Sequence, residues 1–369
     1  MKLNPQLETE LATYVSSLYP IDCALGTNPF GPPNLGFEAI SGLMTGMGEY
    51  YSYSHLAELA SEVSKYAIVN AEQITFTNGS MGALELIFNK VLSNDKKSML
   101  GIGPQFVEAV SEFKVSGGSY SSLNMFDYAD EESLFLALQS EIRKQKPTLV
   151  YIDNPNNPTG RIYARQHLVN VCKVCREVGA ILLVDEAYGE FIEHEESMLF
   201  EAAKCDNLLV LRSFSKGMGL AGIRLGYVVS SPSLSKYLHS SVVPFGPSLA
   251  SIKIAKAILP DIEAYLAKSK FRTRHYKLAM MRQLEECGFE VMETSPKTPI
   301  LLVKKSFVNL AKLLDDNGIM VASGSHFKET NPQMDEQYAR IRIVGNDQDL
   351  WQFQYRLRQF ARVPESTTP

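Results

Sequence analysis

The chain has 369 residues, with 36 Lys+Arg against 41 Asp+Glu, a formal net charge of -5 and 45% hydrophobic side chains. That is two or three ordinary domains or one large α/β unit, and with charged residues at 21% wholesale disorder is excluded. No basic block invites nucleic acid, no apolar run approaches a membrane span, and the opening MKLNPQLETELATYV carries glutamates where a signal peptide needs an apolar stretch, so a cytoplasmic globular protein is expected.

The first 45 residues, rich in proline and glycine, lack periodicity and are expected to pack beside the C-terminal part of the chain. Short apolar or β-branched runs follow at ITFT (74–77), SMLGI (98–102), TLVYID (148–153), AILLVD (180–185), NLLVLR (207–212) and GYVVS (226–230). Amphipathic helical stretches at 80–92, 105–115, 131–145 and 163–178 separate most of them. Strands buried on both faces and alternating with helices predict an α/β fold, a mainly parallel central sheet sandwiched by helices. The last two strands are joined by a tight segment, so one of them is expected to run antiparallel. Residues 247–287 read as long helix interrupted near Pro260, followed by strands at 289–292, 299–304 and 339–344 and helices at 306–316 and 347–361. A large domain over 46–246 is therefore expected, with a smaller α+β domain built from 1–45 plus 247–369 and including the long connecting helix.

Five cysteines do not make a disulfide framework in a chain of this length. Cys172 and Cys175 form a C-x-x-C inside a helical stretch with no second Cys or His pair near a turn, so burial in the core is the expected role. The six histidines are scattered, and none has the spacing of a metal site.

In open α/β sheets, ligands bind at the carboxyl ends of strands, and the segments following these strands are chemically rich. After ITFT comes Asn78-Gly79-Ser80-Met81-Gly82, a glycine turn opening a helix, which suits a phosphate. TLVYID is followed by Asn154-Pro155-Asn156-Asn157-Pro158-Thr159-Gly160, and AILLV ends in Asp185-Glu186-Ala187-Tyr188. NLLVLR leads into Ser213-Phe214-Ser215-Lys216, with Arg224 eight residues beyond the lysine. Pyridoxal 5′-phosphate (PLP) would use all of these groups together. A lysine forms the Schiff base and shuttles a proton. A carboxylate keeps the pyridine nitrogen protonated, and at about 4 Å and an effective dielectric of ~20 that pair is worth about 4 kcal/mol before desolvation. Hydroxyl and amide groups tune the phenolic oxygen, and an arginine with two serines grips phosphate. A dinucleotide reading of Gly217-x-Gly219-x-x-Gly222 fails, because residues 223–260 contain no Asp or Glu to meet a ribose.

The segments NPNNPTG, DEAYGEF and SFSKGMGLAGIRLGY resemble the class I/II aminotransferase family of PLP fold type I, most nearly the histidinol-phosphate aminotransferase and threonine-phosphate decarboxylase group. The resemblance runs from Asn28-Pro29-Phe30-Gly31-Pro32 to Tyr338-Ala339-Arg340. It implies Lys216 as the Schiff-base residue, Asp185 on the pyridinium, and Tyr188 and Asn157 at the phenolic oxygen. Ser213, Ser215 and Arg224, with the backbone at Gly79, Ser80 and Met81, would form the phosphate cup, and Phe106 would stack on the ring. It further implies a homodimer in which Tyr51 crosses to the neighbouring subunit's phosphate, Arg340 gripping the substrate carboxylate, and Asn28 at the substrate. The expected reaction is amino transfer from an amino acid to a 2-oxo acid, with decarboxylation or elimination/cyclisation as the alternative. Two departures bear on the substrate. The arginine that follows G-I-x-V in histidinol-phosphate aminotransferases is replaced here by Ala322, which argues against histidinol phosphate. The usual R-I-[ST] reads Arg340-Ile341-Arg342, so Arg342 shares a strand face with Arg340 and serves either as a second anion grip or as the partner of an acid.

Overall fold

The computed structural model describes residues 20–34, 53–92, 96–244 and 246–360. The elements in chain order are β1 (Ile21–Asp22), α1 (Tyr53–Ala67), β2 (Ile74–Thr77), α2 (Gly79–Leu86), β3 (Ser98–Gly103), α3 (Val107–Val115), β4 (Ser119–Asn124), α4 (Glu131–Gln145), β5 (Leu149–Asp153), α5 (Arg165–Val178), β6 (Ile181–Glu186), β7 (Leu208–Ser213) and β8 (Gly226–Val229). They continue with α6 (Pro232–Ser241), α7 (Leu249–Ile258), α8 (Ile262–Glu286), β9 (Glu290–Val291), β10 (Ile300–Lys304), α9 (Leu310–Asp315), β11 (Ile319–Met320), β12 (Ala322–Ser323), β13 (Tyr338–Arg342) and α10 (Asp347–Phe360).

Seven strands form the central sheet in the order β2-β8-β7-β6-β5-β3-β4. β8 alone runs against its neighbours β2 and β7, and all other pairs are parallel. Residues 214–225 between β7 and β8 hold only the 3-10 turn Ala221–Ile223 and no helix to carry the chain back across a sheet face, and the antiparallel strand falls there. One sheet face packs on α1, α4, α5 and α7 through Leu59, Leu138, Leu168, Val171 and Ile252. The other packs on α2, α3 and α6 through Leu84, Ile87, Val110, Phe113 and Leu238. β5 and β7 are buried along their whole length, which explains their unbroken apolar sequence. Edge strand β4 has no such signature: in SYSSLN only Leu123 is buried and the other positions are exposed or half-buried, so nothing in its hydropathy marks it as a strand. Cys172 and Cys175 lie on α5 inside the core, where burial pushes the Cys172 thiol up to about 12.

The helical region after Pro232 resolves into α6, α7 and α8, with the 3-10 turn Leu259–Asp261 at Pro260 separating the last two. α8 joins two cores, contributing Ile262 and Leu266 to the first and Tyr276, Met280 and Leu284 to the second. That second core lies under the four-stranded antiparallel sheet β12-β13-β10-β9 and includes Leu301, Ile341, Phe353 and Leu357. Ile21 and Cys23 join it as well, because β1 pairs in parallel with β11. The early segment is thereby carried across to the C-terminal sheet, and on its way it passes the carboxyl ends of the central strands.

Candidate active site

Where β2 ends, the turn at Asn78-Gly79 opens α2, and no side chain caps its first N–H groups. Gly79 has a φ of +72°, and a Cβ there would lie 2.7 Å from Arg224 Nη2. Only glycine allows both the left-handed turn and a guanidinium resting on the helix start. Arg224, itself at φ +50°, donates to Ser215 Oγ at 3.4 Å and to the Ala221 carbonyl at 2.9 Å. Ser213 Oγ accepts the Ser215 N–H at 3.1 Å. The unpaired N–H groups around Ser80 and Met81, the helix dipole, one guanidinium and two hydroxyls make a cradle for a dianion. A cleft of about 420 Å³ lined by Asn78, Arg224, Ser248 and Ser251 adjoins it.

Lys216 lies just past β7, half-buried, with Nζ 5.5 Å from the centre of the Tyr188 ring. Its loop is pinned on both sides. Asn28 Nδ2 donates to the Gly217 carbonyl at 2.7 Å, and a Cβ on Gly217 would fall 2.2 Å from Glu190 Cβ. Asn28, expected at the substrate, also directs its amide to Tyr265 Oη at 3.0 Å and Ser269 Oγ at 3.3 Å. Buried, it braces the loop that follows the lysine. Asp185, at the end of β6, accepts from Tyr151 Oη at 2.9 Å and from the Ala187 N–H at 2.9 Å, and is 2% exposed. Tyr151 was legible only as strand core.

At the opposite end of the cleft, Arg340 Nη1 donates to Asn157 Oδ1 at 3.2 Å and Nη2 to the Ala24 carbonyl. Ala322 is its register partner on β12, so no second guanidinium stands beside it there. Arg342 donates to the Asp22 carbonyl and pairs with the Asp22 carboxylate at 3.5 Å, which answers the question its sequence position raised. Tyr188 Oη donates to the Gly26 carbonyl at 3.1 Å. Three side chains thus hold the alternate carbonyls of residues 22, 24 and 26, fixing this segment as one wall of the cleft. Gly26 sits at the point of convergence: a Cβ there would lie 2.5 Å from Tyr188 Oη, 3.2 Å from Lys216 Nζ and 3.7 Å from Arg340 Nη1. The patternless N-terminal sequence contained no signal for it. Gly26→Ala is expected to lower kcat/KM by about 10²-fold through displacement of these groups while leaving the fold intact; steady-state kinetics with a thermal melt on the same sample check it.

Phe106 caps α3 and packs on its apolar neighbours, with its N–H bonded to Asp153 Oδ2 at 3.1 Å. The same oxygen accepts the Asn157 N–H at 2.9 Å. Tyr51 lies outside the described residues.

Burial pushes the Asp185 carboxyl up to about 6, against the pull of Tyr151, the Ala187 N–H and Lys216. Asp153 is pushed up to about 7, again chiefly by burial. Both native acids hold protons that the unfolded chain, with carboxyls near ~3.9, releases. Their contribution to stability is therefore complete below pH ~4 and is lost as pH rises through the native values of about 6 and 7. The cofactor-free protein should melt lower at pH 8 than at pH 5, and Asp185→Asn should flatten part of that slope.

A lysine with a buried carboxyl and an arginine around one cleft, next to a cradle for a dianion at the strand ends, befits a PLP-dependent enzyme acting on amino-acid-like substrates, and the residues present fit that cofactor. The chain belongs to the aminotransferase class I and II family, which it matches over residues 21–353. It is 28% identical over 295 residues to histidinol-phosphate aminotransferase of Clostridium novyi, covering 79% of this chain and 78% of the relative. Histidinol-phosphate aminotransferase 1 of Bacillus anthracis is 30% identical over 248 residues, 67% of this chain and 65% of that one. In fold, the chain is similar to the crystal structure of histidinol-phosphate aminotransferase from Sinorhizobium meliloti in complex with pyridoxal-5′-phosphate, with TM-score 0.79, 19% identity and 98% of both chains covered. It is also similar to L-threonine-O-3-phosphate decarboxylase from Porphyromonas gingivalis, with TM-score 0.73, 19% identity, and 92% and 99% covered.

Proposed function

We propose that this enzyme is an aminotransferase that moves the amino group of an amino acid to a 2-oxo acid, working as a homodimer. The observation that carries the reading is the convergence of Lys216 Nζ, Tyr188 Oη and Arg340 Nη1 on Gly26, with Asn157 bonded to that arginine. Bound PLP supplies an electron sink for the charge left when a bond to the substrate α-carbon breaks. Lys216 Nζ would anchor the cofactor and, once released, take and return the proton at that carbon. Asp185 would hold a proton on the pyridine nitrogen, and Tyr188 and Asn157 would bond the phenolic oxygen. Gly79, Ser80, Met81, Ser213, Ser215 and Arg224 would hold the phosphate, and Phe106 would cover the ring.

Arg340 would take the substrate carboxylate by a bidentate pair, exchanging the Ala24 carbonyl for it. Because Ala322 stands next to Arg340 and Arg342 is engaged by Asp22, an amino acid without a phosphate group suits the site better than histidinol phosphate. A panel of amino acids incubated with 2-oxoglutarate tests the reading: glutamate should form in step with loss of the amino acid. Product without any 2-oxo acid, or carbon dioxide release, would instead assign a decarboxylase or eliminating lyase.

A further inference from the structure

Asp153 is the last residue of β5, 4% exposed, and lies in register beside Asp185 on the neighbouring strand. Among the described residues no cation lies within bonding distance of it. Its oxygens are met by N–H groups: Oδ2 accepts from the backbone of Phe106 at 3.1 Å and of Asn157 at 2.9 Å, and Oδ1 accepts from Asn156 Nδ2 at 2.9 Å. The Asn156 and Asn157 bonds belong to a local turn, and an aspartate there would be satisfied by them alone. The bond to Phe106 is different, because it crosses 47 positions of sequence to the loop after β3. A second bond crosses the same gap, from Asn156 Nδ2 to the Pro104 carbonyl at 3.0 Å. Thr159, through its N–H at 3.2 Å and its hydroxyl at 2.5 Å, holds Asn156 Oδ1 and so fixes that amide's orientation.

We propose that Asp153 is a positioning residue for the cofactor slot, tying the loop that carries Phe106 to the loop that carries Asn157 through one shared carboxylate oxygen. This rests on the cofactor reading above, in which those two residues contact the ring. Burying this carboxyl costs desolvation energy, and the group is kept because one oxygen that accepts from two separate backbones holds their spacing. The slot is then formed before anything enters it, so binding does not have to order two loops.

Hydrogen–deuterium exchange and PLP titration on unaltered protein, Asp153→Ala and Asp153→Asn test the tie. In Asp153→Ala, exchange at the Phe106 and Asn157 amides should rise together by at least ~10-fold, with the Ala187 amide unchanged, and the PLP dissociation constant should rise by ~10- to 100-fold. Asp153→Asn, which retains one carbonyl acceptor, should restore most of the protection at both amides and part of the affinity. If only the 154–159 turn loosens while Phe106 stays protected, or if PLP affinity stays within twofold, Asp153 is a local turn residue and the proposal is wrong. The two readings separate cleanly. Unaltered protein that binds no PLP removes the enzyme reading and with it the slot, whereas unaltered protein that binds PLP together with an indifferent Asp153→Ala removes only the role of Asp153.

Discussion

Lys216→Ala should abolish the visible absorbance of bound cofactor and reduce turnover by at least ~10³-fold, the scale set by loss of a positioned acid–base group. The effect is local, because the loop is held by contacts that do not involve the lysine side chain. Asn28 grips the Gly217 carbonyl, Glu190 packs against Gly217, and Arg212 ties Glu190 and Glu186 together below at 3.3 and 2.9 Å. The variant should therefore fold and melt near the unaltered protein. Lys216→Arg sharpens the test. It keeps the positive charge opposite Asp185 but cannot give up its proton in the working pH range. If the lysine's contribution were electrostatic alone, arginine would preserve turnover; if it moves a proton, arginine should be as inactive as alanine. Turnover retained in Lys216→Ala would overturn the assignment.

Asp185→Asn should lower kcat by ~10²- to 10³-fold while leaving the cofactor-free protein as stable or more stable above pH 7. Asparagine matches the shape and can still accept the Ala187 N–H, so the change removes little except charge. A charge pair at about 4 Å and a dielectric of ~20 is worth about 4 kcal/mol, of which desolvation takes back a part, and each ~1.4 kcal/mol is tenfold in rate. Stability responds in the opposite sense. The carboxyl has been pushed up to about 6 by burial, so at pH 8 the native cofactor-free protein carries a charge its surroundings disfavour. Activity and melting temperature moving in opposite directions marks a group kept for chemistry; a variant within threefold of full activity would refute the role.

The residues whose positions were legible in advance share one property. Gly79, Asn157, Asp185, Ser213, Ser215 and Lys216 each lie within a few positions of the end of an apolar strand. Parallel pairing brings those ends to one edge of the sheet, so their proximity follows from the strand pattern alone. Phe106 could be located by the same rule. Arg224 could be placed near the lysine because only eight residues separate them.

What lay beyond reach came from pairings between distant parts of the chain. β1 and β11 join residues 21–22 to 319–320, and nothing in a two-residue strand announces its partner. That pairing brings Asp22, Ala24 and Gly26 alongside Arg342, Arg340 and Tyr188, turns Arg342 from a candidate anion grip into the partner of Asp22, and makes Gly26 a wall of the site. Asn28 reaches the carbonyl of Gly217 beside the lysine for the same reason. The sequence by itself determined the family, every central strand except the edge strand β4, and the place of the candidate residues at strand ends, because periodicity and motif spacing are local properties of the chain. Tertiary structure alone decided which carbonyls the arginines hold, which carboxylate joins two loops and which glycine the cleft requires, because those depend on the register and packing of segments distant in sequence, 47 positions apart for Asp153 and Phe106 and more than a hundred for the carbonyls of Asp22, Ala24 and Gly26.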